Sequence, residues 1–119
     1  MAQVSGIGGI FFRASDPEAL TAWYQTHLGI GGSDTMWTQE AGPTVFAPFR
    51  QTSDYFPADK AWMLNLRVTD LAALIERLKA AGIVVEERAE WQGTEFGSFA
   101  RIHDPEGTPI ELWQPANDG

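Results

Sequence analysis

The chain has 119 residues, of which 44% are hydrophobic and 20% are charged, a composition typical of one globular domain with a buried core. Its net charge of −8 argues against nucleic-acid binding, which needs a basic surface, and the absence of cysteine excludes disulfides and thiolate chemistry. The first residues lack a signal sequence and no apolar run could span a bilayer, so we expect a cytoplasmic protein with neither a nucleic-acid nor a membrane partner.

The first half of the chain predicts a strand, a helix and further strands. Residues 7–14 are largely apolar and predict the first strand. Asp16, followed by a proline, is a favourable N-cap, and Gly29 is placed to end the helix. The apolar face of this helix has the spacing i, i+3, i+4, i+8 and consists of Leu20, Trp23, Tyr24 and Leu28. After it, residues 30–39 predict short, poorly defined strands, and residues 44–49 predict a clearer strand.

The second half predicts a similar order of elements more clearly. A strand over residues 62–68 precedes a helix that is capped by Thr69 or Asp70 and closed by Gly82. The apolar face of this helix consists of Leu71, Leu74, Ile75 and Leu78. The remaining predicted elements are a strand at 83–87, a loop at 92–97 and two strands at 98–103 and 109–114. Residues 104–107 read Asp-Pro-Glu-Gly, which predicts a tight turn between the last two strands.

The two halves are copies of one unit, offset by 54 residues. Residues 13–16 read Arg-Ala-Ser-Asp, residues 67–70 read Arg-Val-Thr-Asp, and each copy is preceded by an apolar run and followed by a helix. Neither copy could bury its apolar face alone. We therefore predict one α+β domain over residues 1–119, with a first module at about 5–50, a linker at 51–60 and a second module at about 61–115.

Side chains of a strand alternate between the two faces of a sheet, so the repeat sorts them into two sets. The first set consists mainly of aliphatic side chains, and we expect it to pack under the helices. The opposite set consists of Phe11, Arg13, Met63, Asn65, Arg67, Phe99, Arg101, Glu111 and Trp113. Aromatic rings with a few charged anchors are the usual composition of a small-molecule site. The alternatives are a solvated face whose arginines bridge to acids, and a buried dimer interface.

Several short motifs resemble those of a known superfamily over nearly the whole chain. They lie at residues 13–17, 23–24, 28–29, 66–71, 80–83, and 104–107 leading into 110–113. The last is the most specific, with Asp-Pro-Glu-Gly followed by Ile-Glu-Leu-Trp. On these motifs the chain resembles the vicinal-oxygen-chelate superfamily of glyoxalases, bleomycin-resistance proteins and dioxygenases. The resemblance implies two paired βαβββ modules whose mixed sheet curves around a cavity, and modules that pair within one chain or in a homodimer.

Metal-dependent members of this superfamily hold a divalent cation on four side chains. The resemblance places those positions at Gly9, near Thr44 or Val45, at Met63 and at Glu111. Only Glu111 offers a donor that suits a hard cation, so we expect no metal and no other cofactor. We expect His27 to be solvated at the end of its helix, and His103 to lie at the rim rather than to join Glu111.

Without a metal, the resemblance implies small-molecule binding rather than classical metal-dependent glyoxalase activity. The residues predicted to bind an anion are Arg13, Arg67 and Arg101. The residues predicted to stack on an aromatic part of the ligand are Trp37, Phe99 and Trp113. One alternative is a lyase or isomerase that uses Glu111 as general acid/base. Another is a non-catalytic interaction protein or a dimer that sequesters an antibiotic.

Overall fold

The computed structural model describes residues 2–31 and 36–116 and confirms an α+β fold with a small mixed sheet and two helices. In chain order the elements are helix α1 (Pro17–Leu28), strand β1 (Leu64–Arg67), helix α2 (Leu71–Ala80), a 3-10 turn (Ala89–Trp91), strand β2 (Gly97–His103) and strand β3 (Pro109–Pro115). Within the described ranges, neither helix has the length and apolar character needed to cross a membrane.

Helix α1 begins and ends where its capping residues predict. The Asp16 side chain accepts a hydrogen bond from the backbone N–H of Ala19 at 3.1 Å, which satisfies one of the free donors of the first turn. Gly29 follows the last turn in the left-handed conformation, with a φ of 67°. The helix buries Leu20 and Tyr24 against the rest of the domain.

Helix α2 is capped by Asp70, one of the two residues predicted for this role. Its carboxylate accepts from the N–H of Ala73 at 3.2 Å, and its own backbone has a positive φ of 56°. The buried residues Leu71, Ile75 and Leu78 form the predicted apolar face.

The sheet has the strand order β1-β3-β2, with β1 parallel and β2 antiparallel to the central strand β3. The predicted turn at 104–107 joins β2 to β3, and the N–H of Gly107 donates to the carbonyl of Asp104 at 2.9 Å. One face of the sheet packs on both helices and supplies the fully buried Ala100, Ile102, Ile110 and Leu112. The alternation of faces predicted for β2 and β3 is therefore confirmed.

The turn between β2 and β3 also holds helix α1 in place. The carboxylate of Glu106 accepts from the N–H of Ser15 at 3.1 Å, from the hydroxyl of Ser15, and from the N–H of Asp16 at 3.2 Å. These donors hold the pKa of Glu106 below its ordinary value. Tyr24 donates to Asp104 at 2.7 Å, and burial followed by this bond raises the pKa of the tyrosine. The first module is thus attached to the second through α1.

The first module differs from its prediction because the structure has no strand at residues 7–14 or 44–49. The predicted strands at 30–39 lie partly outside the described residues, and the described part is not strand either. In the second module, residues 83–87 make a single bridge, between Glu86 and Arg101, rather than a full strand. The sheet therefore comes from the second module alone.

The physical reason lies in the partners that a strand needs. A strand is stable only when a neighbour satisfies its backbone groups and covers one face, so β-forming residues alone do not make one. Residues 7–14 and 44–49 lie at the surface, and Phe11 is 95% and Phe46 83% exposed. The pairing of two complete modules expected from the repeat is not seen among residues 2–31 and 36–116.

Candidate ligand site on the non-helix face of the sheet

The face of the sheet turned away from the helices, called here the non-helix face, has two rows of side chains across its three strands. The strand register places Asn65, Glu111 and Arg101 in one row, the polar row. The next row, the aromatic row, consists of Arg67, Trp113 and Phe99. All six are residues that the alternation pattern assigned to this face.

Glu111, at the centre of the polar row, is held through both carboxylate oxygens. It is only 8% exposed. The amide of Asn65 donates to Oε1 at 2.7 Å, and the hydroxyl of Tyr55 donates to Oε2. A carboxylate with this little exposure needs such donors because burial without them destabilises the charged form.

Tyr55 is a site residue that sequence reasoning missed, because it lies in the segment interpreted as a linker. Burial, and then its hydrogen bond to Glu111, raise the pKa of Tyr55 to about 12, while the positive charge of Arg101 acts in the opposite direction. The one available signal was an aromatic pair, Tyr55-Phe56, within an otherwise polar and turn-rich stretch. The linker therefore covers the site instead of only connecting the modules.

Arg101, at the end of the polar row, is 5% exposed and contacts two aromatic rings, which also contact each other edge to face. Its guanidinium carbon is 4.9 Å from the ring centre of Tyr55 and 5.7 Å from that of Trp91. Its Nη2 donates to the carbonyl of Tyr55 at 3.0 Å. Its Nε is buried without a hydrogen-bond partner among the residues that the structure describes. A buried, unpaired donor of this kind costs about 1–3 kcal/mol.

In the aromatic row two rings stack on each other, and the arginine is hydrogen-bonded to the backbone of another segment. The rings of Phe99 and Trp113 are nearly parallel, at 4°, with centres 6.3 Å apart. The indole N–H of Trp113 donates to the carbonyl of Phe96 at 2.8 Å. Arg67 donates to the carbonyl of Glu40 at 2.9 Å, so this arginine contacts the first module.

The other residues predicted for the site lie at its edge or outside the sheet. Met63 directly precedes β1 and is half-buried. Phe11, Arg13 and Trp37 are exposed and belong to segments that form no strand. The structure therefore brings together six of the predicted residues with Tyr55, and it does not bring these last three onto the sheet.

A cleft of about 490 Å³ separates segment 51–58 from the β2 side of the sheet. Besides that segment, its walls are Glu86, Arg88, Arg101 and His103. This volume lies within the range of small-ligand pockets. A second hollow of about 340 Å³ also reaches Arg101 and His103 and includes Trp23. His103 is exposed at this rim, as predicted, whereas His27 is half-buried with its ring centre 5.5 Å from that of Trp23.

The donor set on this face does not fit the divalent cation of metal-dependent relatives. Both oxygens of Glu111 already accept hydrogen bonds, and neither Gly9 nor Met63 offers an oxygen or nitrogen donor in its side chain. Within residues 2–31 and 36–116 there is no group of three or more His, Asp or Glu side chains placed to hold a metal ion.

Comparison with known proteins gives a matching family model and structural similarity to solved proteins. The family model described as a glyoxalase-like domain matches residues 9–113. No curated protein matches the chain. Among solved structures, the chain is similar to TnmS3, an antibiotic binding protein from Streptomyces sp. CB03234, with a TM-score of 0.63 and 22% identity over 98% of this chain and 100% of that one. These findings confirm the resemblance to the vicinal-oxygen-chelate superfamily that the motifs indicated.

Proposed function

We propose, since this chain belongs to the glyoxalase-like domain family, that it binds a small aromatic or anionic molecule on the non-helix face of its sheet without a divalent metal. The main support is one juxtaposition: the stacked rings of Phe99 and Trp113 lie directly beside the buried pair of Glu111 and Arg101. A flat apolar surface next to a few fixed polar groups is what a small ligand requires.

The burial of charge on this face supports binding over a purely structural role. Burying a charged side chain costs free energy, so two buried charged side chains on one face add little to folding by themselves. Here Glu111 and Arg101 are cross-strand neighbours, and both contact Tyr55 of segment 51–58. A ligand that enters the cleft would meet Arg101 together with the aromatic rings of Tyr55 and Phe56, which line it. TnmS3, which has the same fold, is described as an antibiotic binding protein, and sequestration of such a compound is one form this function could take.

Binding is tested by calorimetric titration with a panel of aromatic acids, neutral aromatics and antibiotics. Trp113→Phe should weaken any interaction found, because it removes the indole that stacks on Phe99. Trp62→Phe is the matched control, since Trp62 is 75% exposed and lies outside both rows. Equal effects of the two variants, or no binding by any member of the panel, would contradict the proposal. Elemental analysis of the purified protein, together with calcium, zinc and manganese titrations, tests the absence of a metal centre.

A second candidate function is proton transfer with Glu111 as general acid/base, and the observation that favours it is the Tyr55 hydroxyl bound to that carboxylate. A buried carboxylate with a phenol in contact could take a proton from a carbon acid and return it elsewhere, as an isomerase or lyase acting on a small oxo-acid requires. Glu111→Gln should then abolish turnover and leave binding nearly unchanged. Turnover retained in Glu111→Gln would exclude this function.

We also propose that two copies of the chain associate through the first module. The segments at 7–14 and 44–49 repeat residues that form strands in the second module, and they expose large apolar side chains such as Phe11 and Phe46. A second copy could supply the neighbouring strands that these segments lack. Light scattering should show a dimer that Phe46→Asp dissociates, whereas Val84→Asp, at an equally exposed site in the second module, should not. A monomer at all concentrations would refute this association.

A further inference from the structure

Two arginines that line the cleft beside segment 51–58, Arg88 and Arg101, contact a small cluster of aromatic rings. The guanidinium carbon of Arg88 lies 4.9 Å from the ring centre of Trp91, and that of Arg101 lies 5.7 Å from the same ring. Arg101 in turn lies 4.9 Å from the ring centre of Tyr55. Two positive charges are therefore held around one indole, an arrangement that cation–π attraction stabilises.

Neither Arg88 nor Trp91 was among the residues predicted for the site, and the two arginines differ in what else they contact. Arg88 is exposed and forms an ion pair with Glu86 at 2.6 Å, which raises the pKa of the arginine. Arg101 is buried, and the protein leaves its Nε–H without an acceptor. Stacking fixes the plane of a guanidinium and leaves the N–H groups at its edge for an oxygen acceptor.

We propose that this end of the cleft recognises a carboxylate of the ligand, with Arg101 as the buried anchor and Arg88 as the exposed second cation. The ligand would thus be an aromatic carboxylate, and this inference rests on the binding function proposed above. A carboxylate supplies the acceptor that Arg101 Nε lacks, and it can accept two parallel bonds from one guanidinium. Because the protein as a whole carries a charge of −8, a preference for an anion has to come from these local donors.

The experiment compares two probes of the same shape, 2-naphthoate and the neutral 2-naphthamide, by isothermal titration calorimetry at physiological ionic strength. The wild-type chain should bind 2-naphthoate on the order of tenfold more tightly, since one charge-assisted hydrogen bond accounts for such a ratio. Arg88→Gln should reduce the affinity for 2-naphthoate about fivefold and leave that for 2-naphthamide unchanged.

Lys79→Gln is the matched control for Arg88→Gln. Lys79 is also an exposed cation paired with one glutamate, Glu87 at 2.8 Å, so the change in net charge is the same, but it is not part of the cleft wall. It should leave both affinities unchanged. Trp91→Leu, which removes the ring that both arginines contact, should reduce the preference for 2-naphthoate.

The outcomes separate this inference from the function on which it rests. Binding of both probes with equal affinity would overturn the carboxylate assignment and leave small-molecule binding intact. Equal losses of affinity for 2-naphthoate in Arg88→Gln and Lys79→Gln would also overturn the carboxylate assignment, because they would show a general effect of net charge. Failure of both probes to bind would count against the proposed function and the inference together.

Discussion

Replacing Tyr55 with phenylalanine removes one hydroxyl from the centre of the site and keeps the ring that contacts Phe49, Trp91 and Arg101. The change leaves Oε2 of Glu111 without its donor, while Asn65 still donates to Oε1. A hydrogen bond to a charged group contributes about 1.5–3 kcal/mol when it is well buried. Because Tyr55 is only half-buried and water can replace part of the bond, we expect a loss of about 1–2 kcal/mol in the free energy of unfolding at pH 7.

Urea unfolding followed by tryptophan fluorescence measures this loss as a lower midpoint with an unchanged dependence on denaturant. Tyr24→Phe is the matched control, since it removes the only other tyrosine hydroxyl of the chain, which donates to Asp104 at 2.7 Å beneath α1. It should also destabilise the fold, but it should leave ligand affinity unchanged, whereas Tyr55→Phe should alter both. A loss below about 0.3 kcal/mol in Tyr55→Phe would show that the bond to Glu111 does not stabilise the fold.

The same variant has a defined pH dependence. Burial and the bond to Glu111 raise the pKa of Tyr55 from its ordinary value of 10.0 to about 12, so the folded state favours the protonated phenol. The stabilising contribution of the hydroxyl is therefore complete below pH 10 and is lost as the pH rises toward 12. The stability difference between wild type and Tyr55→Phe should shrink over this window, and a difference that grows would refute the reasoning.

Three further substitutions test the core, the site and the attachment of α1. Leu78→Ala should lower the free energy of unfolding by about 2–5 kcal/mol in urea titration, because Leu78 is fully buried between the helices and the sheet. Gly42→Ala should change ligand affinity more than stability: a Cβ there would lie 1.7 Å from Nη1 of Arg67, and the end of that flexible side chain can move away. Glu106→Gln should destabilise the fold at pH 7 because it weakens the acceptor that holds Ser15. That stability difference should shrink as the pH falls below 4.5, since the lowered pKa of Glu106 makes its contribution present above that value and lost in acid. Acid titrations that run parallel in wild type and Glu106→Gln would contradict this account.

The helices, the turn between β2 and β3 and the faces of the second module were predictable because each depends on local chemistry. Asp16 and Asp70 cap their helices through bonds to residues three positions ahead, and the turn at 104–107 follows from its own four residues. The alternation along a strand likewise depends only on backbone geometry, which is why Glu111 and Trp113 were assigned to the correct face.

The first module was not predictable in the same way, because strand formation depends on a partner that local sequence does not specify. Residues 7–14 and 44–49 have the composition of strands, yet no strand pairs with them in the part of the chain that the structure describes. Tyr55 was missed for a related reason. Its role depends on contacts with Glu111 and Arg101, 56 and 46 residues away in sequence, and no periodicity in segment 51–60 marks those contacts.

By itself, the sequence determined the superfamily, the α+β class, the two capped helices and the identity of the two rows on the non-helix face. These features follow from the internal repeat and from the motif at residues 104–113, both of which are visible in the sequence alone. Only the tertiary structure decided that Tyr55 covers Glu111, that Arg101 contacts the rings of both Tyr55 and Trp91, and that the cleft opens beside segment 51–58. These features arise from the folding of distant segments onto one sheet, where burial decides which side chains meet and which polar groups need a partner.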